Sequence, residues 1–361
     1  MLQQDFRVLT INPGSTTTKI AVFDGDKLFL EKKIEHKVQD LKGFGKATDQ
    51  YEYRLNLIRA ALNEAGISLN SLSAVVGRGG LLKPLPGGTF EVNEQMVDDL
   101  LQRPATDHAS NLGAVIAYHL AQELDIPAFI VDPVVVDEYE NVARISGYPA
   151  LERQSRSHAL NMKAVAHKVA HDLGKSYHNC KMVVAHLGSG FSVSIHVGGR
   201  MVDTTNPNDE GPFSIERGGD LPVTQLVSFV WDKFQAGYSL EQLQTMLSKE
   251  SGLYAYLGTK DLRVAERKAN EGDKKADLVL TAMAYQVAKA IGAMATVAAG
   301  EIDCIILTGG VANSKRITDD IARRVQFLAP VVVVPGEEEL PALAEGALRV
   351  LRQQEKAKEY K

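Results

Sequence analysis

The stretch Asn12-Pro13-Gly14-Ser15-Thr16-Thr17-Thr18-Lys19 lies between two apolar, β-prone runs, Arg7–Asn12 before it and Lys19–Phe23 after it. Asp24-Gly25-Asp26 then turns the chain into a third run, Lys27–Ile34. Strand, polar turn, strand, turn, strand predicts an antiparallel meander and not a βαβ unit. The arrangement returns near the middle of the chain. Met182–Leu187 meets Gly188-Ser189-Gly190, the alternating run Phe191–Val197 follows, and Gly198-Gly199-Arg200 leads into Met201–Thr204. Gly14 and Gly188 are separated by close to half of the 361 residues, and an internal duplication is the economical explanation.

Helical periodicity dominates between and after the meanders. Ser110–Leu124 opens on an N-cap serine and sets Leu112, Val115, Ile116, His119 and Leu120 near one face. Asp273–Gly300 predicts a long helix whose main breaker is Gly292. A strand at Ile305–Leu307, a helix from about Asn313 to Phe327, a strand at Val331–Val334 and a charged helix at Ala342–Lys358 complete the pattern. Each half is therefore expected to be an α/β lobe, with a cleft between the two. The expected bounds are 1–155 for the first lobe and 156–335 for the second, nucleotide-holding lobe. Residues 336–361 are expected to form a terminal helix that packs back on the first.

A hydrophobic fraction of 45% with 24% charged residues is that of a folded chain. Lys plus Arg number 40 and Asp plus Glu 45, a net charge of −5 that argues against nucleic acid as a partner. No apolar run approaches the ~20 residues of a membrane helix. The best candidate, Ala290–Gly300, is fenced by Lys289 and Glu301 and is expected to be a buried helix. Asp5 and Arg7 precede any apolar stretch, so no signal peptide, no membrane and a cytoplasmic location are expected. Cys180 and Cys304 are too few for a disulfide framework and are expected as core residues. His167 and His171 share a helix face, but His-Lys-Val-Ala-His lacks the glutamate of a zinc protease, and a solvated face is expected.

Three Gly/Ser/Thr-rich turns leave strands: Asn12–Lys19, His186–Gly190 and Thr308–Asn313. Such turns present successive backbone N–H groups and let a phosphate approach closely. A single glycine turn serves a hairpin equally well. Three of them, two in repeat-equivalent places, point to a nucleotide. The Walker pattern is absent, because Gly45-Lys46 is followed by Ala47. No Gly-x-Gly-x-x-Gly turn opens a helix, and no protein-kinase catalytic loop is present.

Asn12–Lys19 resembles the first phosphate motif of the acetate and butyrate kinase family. Ala185-His186-Leu187-Gly188-Ser189-Gly190 resembles its second, and Leu307-Thr308-Gly309-Gly310-Val311-Ala312-Asn313 its adenosine motif. The likeness continues through His108–Gly113, Val131-Asp132-Pro133, His158-Ala159-Leu160-Asn161, Glu210–Phe213, Ala255–Asp261 and Pro335-Gly336-Glu337. It covers essentially the whole chain and is closer to the butyrate kinases than to the acetate kinases.

The resemblance implies two duplicated ribonuclease-H-like lobes of the actin-like ATPase fold with an active-site cleft between them. It implies ATP/ADP and Mg2+, a short-chain carboxylate and its acyl phosphate as reactants, and a homodimer or larger homo-oligomer. Lobe closure around both substrates would follow. By position, Asn12 would sit at the metal and phosphate end of the first turn, and Lys19 would lie toward the nucleotide phosphates. His186, Leu187, Gly188, Ser189 and Gly190 would hold phosphates. Gly309, Gly310, Val311, Ala312 and Asn313, with Asp261, Leu262 and Arg263, would line the adenosine pocket. Arg78 would face the substrate carboxylate, Asp132 would be the active-site aspartate, and His158 and Arg217 would stabilise the transition state. Glu338 would be the magnesium-associated glutamate, within the run Glu337-Glu338-Glu339.

Physical chemistry makes demands of its own. A fatty-acid carboxylate is already ionised at neutral pH and needs no general base. Its obstacle is repulsion from the γ-phosphate, which arginine forks on both reacting partners relieve. Arg78 and Arg217 suit that need, and Asp132 is expected to orient a magnesium-bound water or an arginine. Each residue also has a plainer use. Arg78 among Gly77, Gly79 and Gly80 could be a turn residue, His158 a helix cap, and Arg217 beside Glu216 and Asp220 a salt-bridged loop residue. Asp132 inside Phe129–Val135 is costly unless paired or at a strand end. The Arg78 loop is shorter than that of acetate kinases, which leaves room for a longer acyl chain such as butyrate or isobutyrate. A sugar or polyol kinase and a non-kinase ATPase of the same superfamily are the rival readings. Asn12, where sugar kinases carry aspartate, counts against the first.

Overall fold

Runs of valine, isoleucine and leucine build two sheets in a computed structural model that describes residues 6–102, 107–337 and 339–361. In chain order the strands are β1 (Arg7–Pro13), β2 (Thr17–Asp24), β3 (Lys27–Glu35), β4 (Ala74–Gly77), β5 (Thr89–Glu91), β6 (Ala128–Val131), β7 (Lys181–Leu187), β8 (Phe191–Val197), β9 (Arg200–Thr204), β10 (Cys304–Gly309), β11 (Val331–Pro335) and β12 (Lys358–Glu359). The chain divides into two units. The first is Met1–Asp137 with Glu338–Lys361, and the second is Glu138–Glu337. The division falls at Asp137/Glu138, ahead of the 155/156 boundary expected from sequence, and the segment after Glu337 is integral to the first unit.

The first sheet has the order β12-β5-β6-β4-β1-β2-β3 and the second β11-β10-β7-β8-β9. In the first, β1, β2 and β3 are antiparallel, and β4 and β6 follow parallel to β1. In the second, β7, β8 and β9 are antiparallel, and β10 and β11 follow parallel to β7. A meander with two parallel strands on its first edge thus occurs twice, the arrangement a duplication demands.

Alternation along the strands gives each sheet two apolar faces. Leu9, Ile11, Ile20 and Val22 form one cluster with Leu55, Ile58 and Leu62 of the helix Tyr51–Glu64 and with Leu112, Ile116 and Leu120 of the helix Leu112–Leu124. Ala21 and Phe23, on the other face of β2, meet Leu340 and Ala344 of the helix Glu339–Leu351. In the second unit Val183, Ala185, Val193, Ile195, Ile305 and Leu307 pack with Leu280, Met283, Val287 and Ile291 of the helix Lys274–Val297. Each fully buried valine, leucine, isoleucine or methionine among these contributes about 1.5–3 kcal/mol. Among the described residues this helix alone is long and apolar enough to cross a membrane, and half of its apolar window is buried in the unit, the core role expected for Ala290–Gly300.

Three local expectations change. The terminal helix runs from Glu339 to Leu351 and not to Lys358; the chain then turns, and β12 pairs in parallel with β5. Tyr360 is buried there, its hydroxyl donating to Asp99 at 2.8 Å, so tertiary pairing outweighs the helical propensity of the charged tail. The helix expected from Ser110 begins at Leu112, after a 3-10 turn at Ala109–Asn111 capped by His108 Nδ1. His171 is solvated as expected, whereas His167 is half-buried with its ring 4.3 Å from that of Tyr177. Both cysteines are buried and reduced, and burial pushes the Cys304 thiol up to about 12.

Candidate active site

The parallel strands of each unit align their carboxyl ends, the place where open α/β sheets bind ligands. In the first unit the register Ile11, Gly77, Ile130 across β1, β4 and β6 sets Asn12, Arg78 and Asp132 at three neighbouring strand ends. Glycine makes this packing possible. A Cβ on Gly77 would stand 2.0 Å from Gly113 O, and one on Gly113 2.3 Å from Arg78 O, so the helix Leu112–Leu124 starts directly against the Arg78 backbone. Gly79 lies as tightly on Pro133, the neighbour of Asp132.

Asn12 Nδ2 donates to Glu339 Oε2 at 2.5 Å, and Arg78 donates to the other oxygen of the same carboxylate and to Asn12 Oδ1. Glu339 therefore joins Asn12 and Arg78. Asp132 has a φ of +38°, a left-handed backbone that a non-glycine residue adopts only under constraint. Its carboxylate accepts the Gly88 N–H at 2.7 Å while its own N–H donates to Gly88 O at 3.1 Å. Lys19 is opposite Asn12 on β2 and is exposed. Glu338 lies outside the described residues.

The first turn is held from beneath. Arg54 is fully buried and donates to the carbonyls of Gly14, Ser15 and Thr17 and to Thr18 Oγ1. Thr18 Oγ1 also meets His36 Nε2 at 2.8 Å. Burial, with the nearby Arg54 charge, holds the His36 imidazole down to about 4. The unfolded chain takes up this proton near 6.5, so below that pH it binds more protons than the folded one, and stability falls as pH drops from about 6.5 toward about 4. In denaturant unfolding, the wild type is expected to lose about 2 kcal/mol more than His36→Asn between about pH 7.5 and about pH 5. Equal losses in the two proteins would overturn this assignment.

In the second unit the register His186, Thr308, Val334 across β7, β10 and β11 repeats the plan. His186 Nδ1 is 2.9 Å from Asn161 Oδ1, which also accepts from Thr308 Oγ1. His186 Nε2 lies 3.1 Å from Glu337 Oε1, near enough for an ion pair but not aligned as a hydrogen bond. The rings of His158 and His186 stack at 3.9 Å and 11°, and His158 Nδ1 is fixed by Ser192 Oγ at 2.9 Å. The turn Gly188–Gly190 lies against the His186 ring. A Cβ at Gly188 would stand 2.9 Å from His186 Nε2, and one at Gly190 2.7 Å from both Cζ and Nε of Arg217.

Arg217 is tethered to that turn. Ser214 Oγ donates to Ser189 O and accepts from Arg217 N–H. The Arg217 guanidinium, half-buried, donates to Asn208 Oδ1 at 2.7 Å, has no ion pair among the described residues, and leaves its buried Nε without a partner. Burial lowers its pKa, opposed by Glu216. A cation so placed retains a donor with which it can meet an anion.

The expected adenosine residues are brought together as well. Asp261 caps the helix Leu262–Asn270, and Arg263 doubles back on its carboxylate, holding it down to about 2. Glu266 of that helix bonds Ser314, which follows the 3-10 turn Gly310–Asn313, so Leu262 and Val311 belong to one assembly. Gly309 seals against the Leu187 backbone.

Each unit, taken by itself, has groups that suit one part of an ATP–magnesium pair. Phosphate oxygens match the orphan donor of Arg217 and the glycine cradle at Gly188–Gly190. Asn12 and Glu339 present hard oxygen donors of the kind magnesium takes beside phosphate. Sequence reading missed Asn161, Ser192 and Arg54, and placed Glu339 only within a run of three glutamates. Asn161 carried a signal, since it stands three residues after His158 at the head of the same helix, where i and i+3 share a face.

The model of the acetokinase family matches residues 151–338, just over half of the chain. Among solved structures, Porphyromonas gingivalis acetate kinase superposes with a TM-score of 0.76 at 19% identity, covering 96% of this chain and 100% of its own. Acetate kinase from Entamoeba histolytica gives 0.74 at 19%, with 94% and 98% covered. A propionate kinase from Francisella tularensis gives 0.73 at 18%, with the same coverage. At these identities the likeness speaks for the fold, and the family match speaks for descent. This chain belongs to the acetokinase family, carboxylate kinases built on duplicated lobes of the actin-like ATPase fold.

Proposed function

We propose that this protein is an ATP-dependent kinase that phosphorylates the carboxylate of a short-chain fatty acid, butyrate or isobutyrate above acetate, by reversible in-line transfer. The observation that carries the reading is Arg217, a half-buried guanidinium with an orphaned Nε and no ion pair among the described residues, set against a glycine turn. Family membership supplies the carboxylate acceptor. The preference for a longer acyl chain rests on the shortened Arg78-Gly79-Gly80 loop, packed tightly on Pro133.

Phosphoryl transfer needs positioning and charge neutralisation more than covalent help. Arg217 binds the equatorial oxygens of the moving group. His158, its ring oriented by Ser192 at Nδ1, supports the same charge. Arg78 holds the acid in line and offsets its repulsion from phosphate; for that, Glu339 must yield the guanidinium to the acid. The Asp132 carboxylate is engaged by the Gly88 amide, which suits an orienting role better than proton abstraction and disfavours a hydroxyl acceptor. Magnesium, when bound, neutralises phosphate charge, and Asn12 and Glu339, with Glu338 by sequence, are the donors that would hold it. Assembly as a homodimer or larger homo-oligomer belongs to the same reading.

The test is ADP release with ATP and magnesium, with acyl phosphate trapped by hydroxylamine, across acetate, propionate, butyrate, isobutyrate and valerate. Hydroxamate is expected to peak at butyrate or isobutyrate. One methylene in an apolar pocket is worth about 1–3 kcal/mol, so neighbouring acids will react more slowly and still measurably. A peak at acetate would overturn the acyl preference. ADP release without hydroxamate from any acid would overturn the carboxylate-kinase reading.

A further inference from the structure

We infer that Arg54 is a positioning residue for nucleotide phosphate, acting through the backbone of the turn Asn12–Lys19 and touching no substrate itself. This rests on reading that turn as a phosphate site. Arg54 is fully buried within the helix Tyr51–Glu64, and no ion pair with a carboxylate offsets its charge among the described residues. A buried guanidinium left in that state is costly unless hydrogen bonds compensate for lost water. Four of its six bonds go to one place: Gly14 O at 2.8 Å, Ser15 O and Thr18 Oγ1 at 3.1 Å, and Thr17 O at 3.2 Å. Gln50 Oε1 takes the remaining donors, at 3.1 Å from Nε and 2.8 Å from Nη2.

Peptide geometry turns this grip into a function. In a planar trans peptide, a carbonyl and the next residue's N–H point in opposite directions. Arg54 draws the Gly14 and Ser15 carbonyls inward, and so aims the N–H groups of Ser15 and Thr16 outward. Those two amides make no hydrogen bond among the described residues, and both residues are exposed. Carbonyl oxygens that would repel phosphate are sequestered on a cation, and amides that attract it are presented. Lysine cannot replace this fork, because its single ammonium cannot span four acceptors of one turn.

The experiment compares the full-length wild type, Arg54→Ala and Arg54→Lys for ATP dissociation constant, kinetics and melting temperature, with and without added millimolar guanidinium. Loss of several hydrogen bonds of about 1 kcal/mol each predicts at least tenfold weaker ATP binding in Arg54→Ala. Guanidinium is expected to restore most of that affinity, and equal concentrations of sodium chloride or urea are not. The KM for the acid is expected to move much less than that for ATP. A folded Arg54→Ala that binds ATP as the wild type does would overturn the inference, as would guanidinium that restores the melting temperature but not the affinity. If Arg54→Ala does not fold, Arg54→Lys decides: wild-type ATP affinity in that variant overturns the inference. Failure of the wild type to bind ATP would instead sink the phosphate-site reading, and this inference with it.

Discussion

Arg217→Ala is expected to lower kcat/KM for acyl phosphate formation by roughly 10³–10⁵-fold, the range for losing a transition-state arginine, equivalent to about 4–7 kcal/mol. The fold should survive the change. Arg217 makes no ion pair among the described residues, and its side-chain hydrogen bond goes to Asn208 in a polar loop. Removing it relieves a buried charge and breaks no apolar contact of the second core. Melting temperature is therefore expected to stay within a few degrees of the wild type while the hydroxamate signal collapses. Arg217→Lys should recover little, since an ammonium cannot reproduce a fork against two phosphate oxygens. The check is hydroxylamine-trapped product under saturating ATP and acid. A folded Arg217→Ala that keeps more than a tenth of wild-type activity would show that the orphaned Nε marks a structural loop residue.

Arg78→Leu is expected to cost about 3–5 kcal/mol, because the change takes a hydrogen-bonded cation from a partly buried carboxylate and from the incoming acid together. In kinetics that is a fall of at least 10²-fold in kcat/KM for the acid, with the KM for ATP little changed. Part of the loss is local. Without Arg78, Glu339 keeps, among the described residues, its bond from Asn12, and the carboxylate faces the acid with like charge. The double variant Arg78→Leu/Glu339→Gln should therefore regain stability but not activity. An unaltered KM for the acid in Arg78→Leu would remove Arg78 from the acid site.

How much of this could be read in the sequence depended on the range of the interactions. The two meanders were legible almost to the residue, since period-2 alternation and Gly-Ser turns are local signals. Phe191–Val197 agrees at both ends with β8, and Arg7–Asn12 falls one residue short of β1. Strand β12 was not legible, because nothing in a lysine- and glutamate-rich tail announces a partner as distant as β5. The helices Val223–Gln235 and Leu240–Lys249 were not anticipated.

In the site, the residue types were legible and their partners were not. Arg78, Asp132 and His158 each stand next to the end of a regular element, which a motif marks by position. That Asp132 takes a left-handed backbone is fixed by Gly88, far away in the chain, and no local pattern encodes it. Arg54 sits in Tyr53-Arg54-Leu55-Asn56, which reads as an ordinary charge on a helix surface. Its burial is a property of the turn folded over it. The glutamate run gave the chemistry without the register, and the distinction between Glu337 and Glu339 came only from their partners.

Those glutamates divide their labour within one short run. Glu337 keeps its carboxylate on His186 within the second unit, and Glu339 gives its own to Asn12 and Arg78 within the first. Two carboxylates of one run thus answer to different cores. Glutamine at Glu337 should therefore be felt at the His186 ring, and glutamine at Glu339 at the Arg78 guanidinium.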